Sequence, residues 1–167
     1  MTLNIVLVEP QIPQNTGNVA RTCAATGARL HLVGPMGFVI DDKKLKRSGL
    51  DYWHMLNVYY YDNYTDFVLK NNNPVVYMAT TKAKKLYTEV DYEEDAFIMF
   101  GKESAGIPEE ILVENRNTCI RVPMLSKYRS LNLSNSVSII LYEALRQQNF
   151  KGLLAQGELH KYKWSDI

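Results

Sequence analysis

The sequence predicts a single α/β domain, a mostly parallel sheet flanked by helices. Short apolar runs recur along the chain, helical patterns lie between them, and the runs are continuous rather than alternating. Continuous runs of four to six residues are how strands covered on both faces read, and alternation of strand and helix is the pattern of a parallel sheet. The chain has 167 residues, enough for one domain that buries about 70% of its unfolded surface. The expected boundary is therefore one domain over residues 1–167, with a polar tail from about residue 151.

In order, the predicted strands are Asn4–Glu9, Leu30–Gly34, Val75–Thr80, Ala96–Gly101 and Thr118–Pro123, each rich in β-branched or aromatic residues. Helices are expected near Gly17–Thr26, Thr65–Lys70 and Pro108–Asn115, with a long one from about Ser134 to Phe150. In the long helix Val137, Ile140, Leu141, Ala144 and Leu145 make the stripe of a core-packed helix. A second row, Ile139, Tyr142 and Arg146, recurs at similar spacing and asks for a partner of its own. The preceding "RSLNLSNS" offers Asn132, Ser134, Asn135 and Ser136 as N-caps where one suffices. Two readings stay open: redundant capping, or a helix start that also holds a polar ligand.

Composition excludes more than it assigns. Hydrophobic residues are 46% and charged residues 22%, and the formal net charge is +1, so nucleic-acid binding would need a local patch. Lys43, Lys44, Lys46 and Arg47 cluster, as do Lys82, Lys84 and Lys85; either group is a solvated surface or such a patch. Cys23 and Cys119 lack metal or disulfide spacing and read as buried thiols. His31, His54 and His160 are scattered and read as structural or surface residues. No leader or membrane span is legible, which predicts a cytoplasmic protein. Dinucleotide, P-loop, zincin and hydrolase motifs are missing.

The informative segments are loops. Three follow predicted strand ends: "TTKAKK", "FGKESAGIP" and the long run from Val122 to about Ser134. Open α/β sheets bind ligands at the carboxyl ends of strands, and long loops there are often functional. Asn15 can cap the first helix, and Val19, Ala20, Cys23, Ala24 and Gly27 share one side, leaving Arg21 off it. Arg21 is then a surface ion-pair partner or a phosphate clamp. Pro108 fits the first position of a helix with Glu109 and Glu110 in its first turn. Gly101 weakens a strand unless something approaches its backbone closely.

In this order "NxGxxxR", "FGxExxGIP" and "IRVPM…SLNLSNSVSI" closely resemble the three motifs of the SPOUT superfamily of RNA methyltransferases. The likeness runs to Phe150. "EPQIPQNTGN", "HLVGPMGF" and "SGLDYW" resemble the branch of tRNA 2′-O-methyltransferases acting on the wobble nucleotide, position 34, cytidine or a modified uridine. The resemblance implies S-adenosylmethionine as methyl donor, a C-terminal trefoil knot, a homodimer and a tRNA anticodon loop as partner. The knot contradicts the general rule that chains do not thread loops, so it comes from the resemblance alone. Carried onto this chain, it places the cofactor against Ala79, Gly101, Val122 and Ser130, with Met124, Leu131 and Leu133 as apolar walls. Arg21 takes a catalytic part, supported by Asn15, while Asn132, Asn135 and Tyr142 become contacts to RNA or to the second subunit. No metal is implied. The alternatives are a methyltransferase for another tRNA or ribosomal RNA position, and a non-catalytic RNA- or nucleotide-binding α/β module.

Overall fold

Every expected apolar run becomes a strand, and burial explains why. The structure, a computed structural model, describes residues 2–38 and 53–164. Its strands are β1 (Asn4–Val8), β2 (Arg29–Val33), β3 (Val58–Tyr61), β4 (Val76–Ala79), β5 (Lys85–Leu86), β6 (Phe97–Phe100) and β7 (Cys119–Arg121). They form one seven-stranded sheet in the order β3-β2-β1-β6-β4-β7-β5, and all pairings are parallel. β1 sits near the middle with all five residues buried, because successive side chains point to opposite covered faces.

The helices are α1 (Pro13–Thr26), α2 (Tyr64–Lys70), α3 (Glu109–Glu114) and α4 (Leu133–Gln147). On one face Ile5, Leu7, Leu30, Leu32 and Ile98 meet Val19, Ala20 and Cys23 of α1 and the whole predicted stripe of α4. On the other, Val6, Val8, Val33, Met78 and Met99 meet Phe67 of α2 and Leu112 of α3. The result is a helix–sheet–helix sandwich.

Two strands escape the sequence reading. β3 is an edge strand whose Tyr59 and Tyr60 are exposed, so it lacks the continuous buried run of its neighbours. β5 has two residues, too few to carry any periodicity. Helix α1 starts at Pro13, four residues before the expected Gly17, with Ile12 at the N-cap and no side-chain cap. Asn15 is therefore a buried residue inside the first turn, a correction to its reading as the cap. Gly27 closes the helix in the left-handed region (φ 74°) and belongs to the C-terminal turn instead of the packed face. Pro108 stands at the N-cap of α3, one position outside its expected place.

Both cysteines are buried free thiols, and burial pushes the Cys23 thiol up to about 12. His31 is buried between strands, with Nδ1 2.8 Å from the Tyr61 hydroxyl and Nε2 3.1 Å from Asn4 Oδ1. Asn4 Nδ2 donates to the Thr2 and Asp95 carbonyls, so its Oδ1 is an acceptor and His31 Nε2 carries the proton. His160 is exposed. The cluster Lys43, Lys44, Lys46, Arg47 and the stretch 48–52 lie outside the described residues. Among the described residues no helix is long and apolar enough to cross a membrane.

Candidate functional site

Because the sheet is parallel, its carboxyl ends all open on one edge. β1, β6, β4 and β7 are neighbours there, and the loops that leave them enclose a cavity of about 550 Å³. All seven residues expected at the cofactor line it: Ala79, Gly101, Val122, Met124, Ser130, Leu131 and Leu133. The three loops singled out by sequence do converge. Thr80, Thr81 and Lys82 come from the first, Lys102 to Gly106 from the second, and Arg129 to Leu133 from the third. The wall is divided in chemistry. Phe100, Ile120, Val122, Met124, Leu131 and Ile140 are apolar, while Asn15, Lys82, Lys102, Glu103 and Arg129 supply polar groups. A cavity of this size, with an apolar wall and convergent polar groups, has the form of a small-molecule site.

One carboxylate organises the walls. Glu103 Oε2 accepts the backbone N–H of Gln11 at 2.9 Å and Oε1 that of Ile12 at 3.2 Å. It thus fixes the backbone just ahead of α1, a helix that has no side-chain cap of its own, and sets an anion at the positive end of the helix. Oε1 also accepts Asn15 Nδ2 at 3.0 Å. Asn15 Oδ1 in turn accepts Asn132 Nδ2 at 3.0 Å. Asn132 Oδ1 caps α4, taking Ser134 N–H at 2.9 Å, Ser134 Oγ at 2.7 Å and Asn135 N–H at 3.4 Å. A line of side chains therefore ties the second loop, the start of α1 and the start of α4 together. Of the four candidate caps only Asn132 caps. Ser136 and Ser138 hydroxyls instead donate back to the Asn132 and Ser134 carbonyls.

A second strap lies beside the first. Lys102 Nζ pairs with Glu9 Oε2 at 2.7 Å, and Gln11 Oε1 accepts Ser104 N–H at 3.2 Å. Gly101 is explained by its own loop: an added Cβ would collide with the carbonyl of Gly106 and the nitrogen of Ile107. The close approach anticipated for Gly101 is thus made by the returning peptide.

Arg21, Asn135 and Tyr142 lie elsewhere. They share a polar crevice of about 390 Å³ between α1 and α4 with Asn18, Thr22, Ala25, Ser134 and Ser138, where the Thr22 and Ser138 hydroxyls are 3.4 Å apart. Within one chain Arg21 does not line the large cavity. Sequence reasoning missed the organising role of Glu103. Its letter stands in the "FGxExxGIP" pattern, yet its partners are 88 to 92 residues away in the chain, a distance that no local pattern spans. Among the described residues no group of three or more His, Cys, Asp or Glu could hold a metal ion.

With this geometry in hand, three likenesses are informative. A protein of Escherichia coli strain K12 named tRNA (cytidine(34)-2′-O)-methyltransferase is 46% identical over 154 residues, covering 90% of this chain and 96% of its own. A solved structure titled "Structural insights into the 2-OH methylation of C/U34 on tRNA" is 40% identical, with a TM-score of 0.83 and coverage of 89% of this chain and 97% of that one. An AdoMet-bound rRNA methyltransferase from Sinorhizobium meliloti is 26% identical with a TM-score of 0.77, covering 87% of this chain and 56% of that one. The family description "SpoU rRNA Methylase family" matches residues 2–142, a span that holds β1 through β7, both walls of the cavity and the start of α4. The chain is a member of the SpoU rRNA methylase family.

Proposed function

We propose that this chain methylates the ribose 2′-hydroxyl of the wobble nucleotide of tRNA, position 34, as cytidine or a modified uridine, using S-adenosylmethionine. The observation that carries the reading is the convergence of the seven motif residues on one cavity. The cofactor fits this wall chemically: apolar side chains at Val122, Met124, Leu131 and Leu133 suit adenine, and the backbone of the converging loops supplies hydrogen-bonding groups. When bound, S-adenosylmethionine supplies a methyl group on an activated sulfonium centre. The remaining unit of the reading is one methyltransferase domain over residues 1–167 in a cytoplasmic homodimer, knotted through its C-terminal third as in the resembling superfamily.

The chain's own work is alignment and charge stabilisation. Alignment of donor and hydroxyl can supply about 7–11 kcal/mol of barrier reduction. The Glu103–Asn15–Asn132 line holds the walls in register, and Arg129 adds positive charge for a phosphate-bearing substrate, while Lys82 and Lys102 are paired with Glu109 and Glu9. Arginine is a poor base, its pKa above about 12. Arg21 therefore holds a neighbouring phosphate and stabilises the developing alkoxide, while phosphate or solvent takes the proton. Its place in the other crevice supports action on the partner subunit's cavity. Asn135 and Tyr142, in the same crevice, then meet the partner or its RNA.

The test is mass spectrometry of tRNA from cells lacking the gene, and of the same tRNA incubated with purified protein and S-adenosylmethionine. Loss and return of 2′-O-methylation at position 34 are expected. Return at another tRNA or ribosomal position moves the substrate, and no transfer to any RNA overturns the reading in favour of a binding module.

A further inference from the structure

We propose that Tyr128, backed by Lys127, is a stacking platform for an unpaired base of the RNA, at the rim of the cavity and outside the cofactor slot. The inference rests on the RNA-methylating reading above. The chain enters and leaves this segment on the cavity wall, since Met124 lies on one side of it and Arg129, Ser130 and Leu131 on the other. Between these anchors it turns, with Tyr128 N–H donating to the Leu125 carbonyl at 3.0 Å. The turn lifts Tyr128 off the wall and leaves it 60% exposed. The Lys127 ammonium stands 5.1 Å from the centre of the Tyr128 ring, within cation–π range.

This arrangement has the parts that single-stranded nucleic acid uses. An aromatic ring accepts any base on its π-face, and cations beside it take the flanking phosphates. Lys127 steadies the ring from one side, and the exposed surface of Tyr128 remains for a flat ligand. Arg129, next in sequence and on the cavity wall, brings a planar fork suited to phosphate. An acidic peptide would satisfy the two cations but leave the ring without a flat partner. Core packing does not require Tyr128, which takes no part in either buried cluster. A nucleotide whose ribose reached the cavity would carry a neighbouring base past this rim.

The test compares the full-length protein with Tyr128→Ala, Tyr128→Phe and Lys127→Ala, using an RNA stem-loop with the sequence of an anticodon arm. Tyr128→Ala should weaken RNA binding roughly five- to hundredfold and raise KM with little change in kcat. Tyr128→Phe keeps the ring and should bind like the parent. Lys127→Ala should reduce the salt dependence of binding, whereas Tyr128→Ala should leave it unchanged, because the ring carries no charge. S-adenosylmethionine titrations should be unaltered in all three. Parental RNA affinity in Tyr128→Ala overturns the platform, as does weakened binding accompanied by smaller species in sedimentation, which would assign Tyr128 to a subunit contact. If RNA binding responds as stated but no methyl transfer occurs, the activity reading falls and the platform stands. If transfer occurs and Tyr128→Ala matches the parent, the platform alone falls.

Discussion

Glu103 is the residue whose loss should be felt furthest from its own loop. Its carboxylate accepts three N–H groups, two from the backbone ahead of α1 and one from Asn15. In Glu103→Gln one oxygen becomes an NH₂ group and faces a donor, so at least one partner is left unpaired. The expected cost is about 1–3 kcal/mol, read as a lower urea midpoint with an unchanged slope. A midpoint equal to the parent's would show that the line of side chains does not hold the walls. Arg21 should behave in the opposite way. It is exposed in a crevice apart from the cofactor residues, so Arg21→Ala should fold and bind S-adenosylmethionine normally. Methylation should drop by about 2–4 kcal/mol of transition-state stabilisation. Unchanged turnover would leave Arg21 a surface residue.

Among the elements, the strand pair β2–β3 carries a built-in acid sensitivity. Burial, and secondarily the Arg29 charge, lower the His31 pKa from 6.5 to about 4. Its ring lies among Tyr59, Tyr61, Phe67 and Phe97, a desolvated aromatic setting that disfavours an added charge. The unfolded chain binds a proton as pH falls through 6.5, while the folded chain refuses it until about 4. Stability from this group is therefore complete above the unfolded value and is lost as pH falls across that window, by about 3 kcal/mol in all. Urea titrations from pH 7.5 to 4 should show a flatter decline in His31→Gln than in the parent. Equal declines would remove His31 as the cause. The same strands show what a sequence can and cannot disclose. β1, β2, β4, β6 and β7 were legible because both of their faces are covered, and α4 because its five-residue stripe is fully buried. β3 hides because it is an edge. The cavity's location was legible too, since parallel strands send all their carboxyl ends to one side. The Asn15–Asn132 bond was not, because its partners are 117 residues apart and meet only after the sheet has formed. The start of α1 is hidden as well, because Asn15 has the chemistry of a cap, yet the helix begins at Pro13 behind Ile12 with no side-chain cap at all.

At the scale of the whole molecule the two crevices pose a single problem. The residues expected to bind the donor line one cavity, and Arg21 opens onto another. Helix α4 borders both, through Leu133, Ser136 and Ile140 on the first and Ser134, Asn135, Ser138 and Tyr142 on the second. Its outward row includes Tyr142, 46% exposed, and Arg146, which is held toward Glu143 by two bonds of 2.8 and 2.9 Å. Tyrosine and arginine on a helix face are common interface residues, and a two-fold contact would set α4 of each copy against the same region of the other. In the homodimer proposed above, Arg21 of one subunit acts on the cavity of its partner. The shared-site arrangement is testable by complementation. Gly101 is unsuitable as the cofactor-blocking change, since even a Cβ there meets the Gly106–Ile107 backbone. Ser130 is exposed and lines the cavity, so Ser130→Trp should fill the site without disturbing the core. Arg21→Ala and Ser130→Trp should each be inactive as homodimers. Mixed at equal amounts and allowed to exchange subunits, they should regain about a quarter of parental activity, because half of the dimers are mixed and each of these holds one intact site. Failure to regain activity in mixed dimers verified by mass, or full activity of a species that sediments as a monomer, would place the whole site within one chain.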